Sequence, residues 1–194
     1  MMSRKAVMGV GMLLIFVSTI LVSAVAAGVL IRTTGLMQES ALDVAGSTQN
    51  RIVTGIDVFT AYALANSSQD KVYGFEFFVR LRAGSPPIQF RNLGLSYISE
   101  EESFSASLNE SLMGSCTIAN LAPEAEFCIT PRLGNNDTVL DRGESLTLLY
   151  KLSNSSVAGP EQRVEFTFQP KEGALETIDV AIPGLILTNK VRLR

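Results

Sequence analysis

The feature that most constrains this chain is residues 6–31, AVMGVGMLLIFVSTILVSAVAAGVLI, which carry no charged side chain. Arg4 and Lys5 precede the run and Arg32 follows it. Three readings compete. A cleaved secretory signal has an apolar run of about 7–15 residues ending in a small-residue cut site, whereas this run is longer and ends in no clear site. A permanent anchor fits, because about 20 apolar residues span the hydrocarbon of a bilayer. The third reading is a signal cut on the cytoplasmic side, which leaves the run on the mature protein. The rest of the chain accords best with the third.

The helical pattern does not stop at Ile31. Leu36, Leu42, Val44 and Ile52 continue apolar spacing of about 3.6 residues. A helix from about Met8 to Val53 is near 70 Å long at about 1.5 Å per residue, and only half of it fits in a bilayer. Thr33, Thr34, Gly35 and Gly46 are points where it can bend. Small residues recur at Gly9, Gly11, Ser18, Ser23, Ala24, Ala26, Ala27 and Gly28. Ser23/Ala27 and Ala24/Gly28 have the four-residue spacing that lets helices approach closely. The bulky residues surround the helix, so it must be covered on every side by lipid or by other helices. About sixteen large apolar side chains at ~2 kcal/mol each make roughly 30 kcal/mol of burial, an upper bound.

What remains is room for one domain of about 140 residues with a core of its own. The net charge of −3 gives no nucleic-acid footprint. Basic residues at the extreme N-terminus put that end in the cytoplasm and the rest outside. There is no histidine, hence neither the usual general base nor the commonest metal ligand. Outside the cell, Cys116 and Cys128 most simply form one disulfide, with two free buried thiols as the alternative.

From about Gly55 the pattern changes to period two. Phe75, Phe77, Val79 and Leu81 alternate with Glu76, Phe78, Arg80 and Arg82. Val164, Phe166 and Phe168 repeat this, as do Leu146, Leu148, Tyr150 and Leu152. These are half-buried strands, separated by turn signals such as Gly84-Ser85-Pro86-Pro87, Asp141-Arg142-Gly143 and Pro183-Gly184. About eight or nine short strands have the spacing of an antiparallel sandwich, the last running roughly from Ile186 to Leu193.

The segment MMSRKAVMGVGMLLIFVSTILVSAVAAGVLIRTTGLMQ resembles the start of archaeal flagellins (archaellins). The apolar run, its Gly9-Val10-Gly11 opening and the helix beyond carry the likeness. So do Ile56-Asp57-Val58, the Val79-to-Ile88 run VRLRAGSPPI, Val139-Leu140-Asp141-Arg142-Gly143-Glu144, and Ile182-Pro183-Gly184 through Leu193. The resemblance implies that a prepilin-type peptidase cuts after Arg4-Lys5-Ala6, so that the mature chain begins at Val7. Ala6 stands where the family usually has glycine. It implies that the helix polymerises into the extracellular archaellum filament used for swimming, with Gly9, Gly11, Leu13, Leu14, Phe16, Ile20, Leu21, Ala24, Ala27 and Gly28 packed in the core. The implied partners are further copies of the chain or paralogous subunits, the peptidase, the membrane assembly platform and motor, and lipid before assembly. It implies no cofactor and no catalysis.

Four Asn-x-Ser/Thr sequons begin at Asn66, Asn109, Asn136 and Asn154. The resemblance implies that at least one carries a glycan. Asn135, Asn136, Asp137, Asp141 and Glu144 could offer oxygens to calcium, but they lack an EF-hand pattern and read first as turn residues, so no metal is expected. Glu100-Glu101-Glu102 reads as a solvated loop. No nucleophile has a histidine base and no phosphate loop is present, so no enzyme is expected.

The chain therefore reads as α+β: a long N-terminal hydrophobic helix followed by an antiparallel Ig-like β-sandwich. Residues 1–6 are a leader, 7–54 the core helix and 55–194 the outer domain. Two other functions compete with the filament subunit: an adhesive pilin of the same export class, and a single-pass anchored binding module.

Overall fold

The structure is a computed structural model and describes residues 4–66, 71–154 and 157–193. It divides into two compact units, residues 1–48 and 49–194.

Helix α1 covers Arg4–Val53 without interruption. The first proline of the chain is Pro86, so nothing in this span removes a backbone donor. The helix assignment continues through Gly35 and Gly46, and through Thr33 and Thr34, whose hydroxyls donate back to the carbonyls of Val29 and Leu30. Ser18 and Thr19 donate likewise to Ile15 and Phe16 at 2.8 Å. Such back-bonding leaves these hydroxyls satisfied without water.

Among its described residues the second unit holds eleven strands: β1 (Ile56–Asn66), β2 (Lys71–Leu81), β3 (Ile88–Gln89), β4 (Gly94–Ile98), β5 (Ser103–Leu108), β6 (Glu126–Leu133), β7 (Val139–Leu140), β8 (Ser145–Lys151), β9 (Arg163–Gln169), β10 (Glu176–Ala181) and β11 (Lys190–Arg192). Strands β3 and β7 make a small ribbon. The other nine are hydrogen-bonded in the order β10-β9-β4-β5-β6-β8-β2-β1-β11.

Although continuous, this array is folded onto itself at β5. Residues 103–106 of β5 pair antiparallel with β4, and Ser107 and Leu108 then pair parallel with Glu126 and Phe127 of β6. One strand thus passes from the first layer to the second, and the ladder is antiparallel everywhere except at that crossing. The two layers, β10-β9-β4-β5 and β6-β8-β2-β1-β11, face each other. Phe166 of β9 sits edge-on against Phe75 and Phe77 of β2, with ring centroids 4.7 Å away in each case. Tyr97 of β4 meets Tyr150 of β8 at 6.0 Å. The rings that face inward are the ones the period-two pattern selects: Phe75, Phe77, Phe166, Phe168, Leu146, Leu148 and Tyr150 are all buried. Offset and edge-to-face aromatic pairs add about 0.5–1.5 kcal/mol each beyond their area.

One local expectation is corrected. The last strand is Lys190–Arg192 rather than a run from Ile186. Ile186 is buried and closes the core, but Leu185 and Leu187 beside it are exposed, and pairing with β1 begins only at Lys190. Phe78, on the outer face of β2, is not solvated. It lies beneath the Arg132 guanidinium, 4.3 Å from its ring centroid, and is flanked by Phe59 and Tyr62.

Candidate functional site

Two surfaces are candidates for function, the flank of α1 and the place where the chain leaves it. From Met8 to Ile31 every large apolar side chain of α1 is exposed. Leu13, Leu14 and Phe16 each keep 65% of their surface open, and Ile20 and Leu21 keep more than half. Gly9, Gly11 and Gly28 have open space where a Cβ would stand, and Ala24 and Ala27 are likewise uncovered. Exposed apolar patches larger than a few hundred Å² mark interaction sites, and this one encircles a helix. The helix is long and apolar enough to cross a membrane.

The exit from α1 is tightly held within the second unit. The amide of Gly55 donates to the Ser85 hydroxyl at 3.2 Å, and its carbonyl accepts from the Arg82 amide at 2.9 Å. The Thr54 carbonyl accepts from the Ala174 amide, also at 2.9 Å. Gly173 has φ +126°, and a Cβ there would fall 2.5 Å from that Thr54 carbonyl, so only glycine allows the approach. Arg82 adds an ion pair to Glu176 at 2.8 Å, and Arg142 reaches the Ser85 carbonyl. Ser85 is fully buried, and among the described residues no buried side-chain polar atom lacks a partner. The VRLRAGSPPI run, singled out in the sequence, is therefore the socket for the end of the helix. The Asp141-to-Glu144 run adjoins it. Nothing in a single sequence links positions 82, 85, 142 and 173 to Thr54, because they meet only through the sheet topology.

The remaining residues singled out in the sequence are dispersed. Cys116 and Cys128 are joined, with Cα atoms 5.9 Å apart. Their bond ties a loop over the outer face of β6 and β8. Ile118 of that loop stands against Gly74, where a Cβ would lie 2.6 Å from its Cδ1. Asn109 is engaged: its Nδ2 donates to Glu126 at 2.7 Å and its Oδ1 accepts from the Ser111 amide. Beside it Glu110 pairs with Arg91, which holds the carboxyl below its ordinary range. Asn136 and Asn154 are exposed, as is Asn66. The hydroxyl positions of the Asn66 and Asn154 sequons lie outside the described residues, as do leader residues 1–3 and the side chains of Arg4, Lys5, Ala6 and Val7. In the acidic loop, Glu144 accepts from the amides of Asn135 and Asp141 at 3.0 Å each, so this carboxylate is engaged in shaping the turn. Glu100, Glu101 and Glu102 are exposed. Among the described residues no three His, Cys, Asp or Glu side chains converge on one point.

The family model for archaeal-type flagellin matches residues 6–180. The chain belongs to the archaeal-type flagellins. It is 33% identical to flagellin A1 of Haloferax volcanii over 123 residues, which cover 61% of this chain and 58% of that protein. It is 28% identical to flagellin B4 of Pyrococcus abyssi over 94% of this chain and 95% of that one. In fold it is similar to the archaeal flagellum of Methanospirillum hungatei, with a TM-score of 0.68 at 11% identity, covering 94% of this chain and 98% of that chain. A crystal structure of a flagellin from Methanocaldococcus jannaschii matches with a TM-score of 0.63 at 18% identity, over 72% of this chain and 96% of that one. Flagellins of this family are structural subunits of a filament that lies outside the cell, and the exposed helix fits a membrane-inserted precursor.

Proposed function

We propose that this archaellin is held in the membrane by α1 until a prepilin-type peptidase removes residues 1–6, and is then polymerised through α1 into the filament that drives swimming. The observation that carries this reading is the apolar surface of residues 8–31, uncharged and uncovered on every side. Such a surface has two stable environments, lipid and a bundle of like helices. A contact that joins different patches on successive copies does not close on itself and extends into a fibre. The self-satisfied hydroxyls of Ser18 and Thr19 suit both environments, since neither supplies water. Before assembly, Arg4 and Lys5 hold the N-terminus in the cytoplasm and the outer domain lies outside. The membrane assembly platform and motor take up the cleaved subunit. The domain boundary near residue 54 then separates the filament core from its shell. Residues Gly9, Gly11, Leu13, Leu14, Phe16, Ile20, Leu21, Ala24, Ala27 and Gly28 line the core contacts.

In the shell, Asn66, Asn136 and Asn154 are the more accessible glycan acceptors, because all three are exposed while the side-chain amide of Asn109 is bound to Glu126. The test of the main reading is the N-terminal sequence of this protein in fibres sheared from cells. A start at Val7 is expected. A start at Met1, in a protein confined to the membrane fraction, would replace the filament subunit with an anchored module.

A further inference from the structure

Between Met8 and Val53 the helix carries four charged residues, Arg32, Glu39, Asp43 and Arg51. All four are exposed, and none forms an ion pair among the described residues. Their spacing is unhelpful to an isolated helix. Glu39 and Asp43 stand four apart, on adjacent turns of one side, where like charges repel. The nearer arginine, Arg32, is seven residues from Glu39, about 10 Å along the axis and out of reach of an ion pair.

The spacing becomes useful between copies. The midpoint of the acid pair is residue 41. Arg32 precedes it by nine residues and Arg51 follows it by ten, so the pattern is nearly symmetric about the acids. Slide one copy of the helix along a parallel neighbour by nine to ten residues, and Arg32 of the first comes level with Glu39 and Asp43 of the second. At the same offset, Arg51 of the second comes level with Glu39 and Asp43 of the first. One displacement brings both arginines level, along the axis, with an acid pair of a neighbouring copy.

We propose that neighbouring copies of α1 in the filament pack parallel with an axial offset of about 14–15 Å, fixed by ion pairs from Arg32 and Arg51 to the Glu39–Asp43 pair of the adjacent copy. This inference rests on the filament reading above and adds its register. The apolar run gives adhesion without position, since apolar surfaces can slide past one another at little cost. Charges drawn into a packed bundle are costly unless paired, and buried polar groups are the best-attested means of fixing register between helices. Arg32, Glu39 and Asp43 share one side of α1 while Arg51 lies about a quarter turn round, at 100° per residue. The Arg51 contact therefore joins different sides of the two copies, as an open polymer requires.

The experiment expresses full-length variants in place of the natural chain and measures the protein in the sheared fibre fraction and in the membrane fraction. Arg32→Glu is expected to lower the fibre fraction at least about tenfold, with the protein retained in the membrane, because reversing one member of a desolvated pair leaves like charges opposed. The combined reversal R32E/E39R/D43R/R51E restores fibres. A second measurement does not depend on charge. With Cys116 and Cys128 bonded to each other, a chain carrying Arg32→Cys and Asp43→Cys gives a ladder of covalent multimers in oxidised fibres, and either substitution alone does not. Natural fibre yield from Arg32→Glu, a fourfold reversal no better than the single one, or fibres of the double-cysteine chain with no ladder would each overturn the register. If the unaltered chain is itself absent from fibres, the filament reading fails instead.

Discussion

Phe16 and Phe166 are the same side chain in opposite circumstances. Phe16, on α1, keeps 65% of its surface open, while Phe166, between the layers of the outer domain, keeps none. In the outer domain, apolar residues at period two find their partners within the chain: β9 covers β2, and β4 covers β8. From Met8 to Ile31 of α1, apolar residues at every azimuth are exposed. The chain thus contains one hydrophobic core that is complete and one that is a single strand of a larger object. Stability of the first belongs to the monomer, whereas stability of the second depends on concentration and on what else is present.

That contrast can be broken most forcefully on the helix. Replacing Phe16 with Asp should abolish recovery of the protein in sheared fibres, since an acidic group at the centre of an apolar helix costs about 2.5–3.5 kcal/mol on insertion scales. The melting temperature of the outer domain, followed by near-ultraviolet circular dichroism in detergent, should not move. The reverse experiment is Phe166→Ala. It should destabilise the outer domain by about 3–5 kcal/mol, read from chemical denaturation, by removing the ring that both Phe75 and Phe77 pack against. A smaller loss, about 3 kcal/mol, is expected when Cys116 and Cys128 are both changed to Ser. There the tied loop lifts Ile118 from Gly74 while the inner aromatic core stays in place.

The gentlest probe is alkaline pH. Burial raises the hydroxyl pKa of Tyr150 and of Tyr97 above the ordinary tyrosine value, so both stay protonated in the folded domain when the unfolded chain would release them. The folded state then holds more protons, and its stability is intact below about pH 10 and falls above it, for Tyr150 by at most about 1.4 kcal/mol per pH unit. No tyrosine precedes Tyr62, so this loss should fall on the outer domain alone. Titrating fibres from pH 9 to 11 and comparing near-ultraviolet circular dichroism with the sedimenting fraction would separate the two cores. Parallel decline of both signals would mean that the shell, not the helix, holds the fibre together.

The legibility of the sequence follows the same division. Strands β8 and β9 were readable because each buries a single face against one opposing layer, which imposes strict alternation on large residues, whereas β2 is covered on its outer face as well, at Gly74 and Phe78. The helix was readable to its end because apolar spacing continues to Ile52 and Gly55 follows. Ile186 misled because a residue can be buried by plugging the end of a core without belonging to a ladder. The cover over Phe78 has no local signal, because it comes from the guanidinium of Arg132, 54 positions away in sequence. The crossing at β5 and the socket at Thr54 left no local trace, since both arise from distant segments meeting. In the socket, Ser85 and Gly173 are unremarkable turn residues until the helix end is placed between them.

That socket also makes the start of the outer domain a shared anchor of its two layers. The two residues that follow α1 are hydrogen-bonded on one side to Arg82 and Ser85, beyond the end of β2, and on the other to Ala174, just ahead of β10. Those strands belong to different layers, and the ion pair from Arg82 to Glu176 bridges them at the same point. The chain is therefore tied to both layers at the point where it enters the outer domain, rather than to one of them alone. At β5 the layers are joined a second time, by a single strand that pairs with both, so neither layer is an independent sheet.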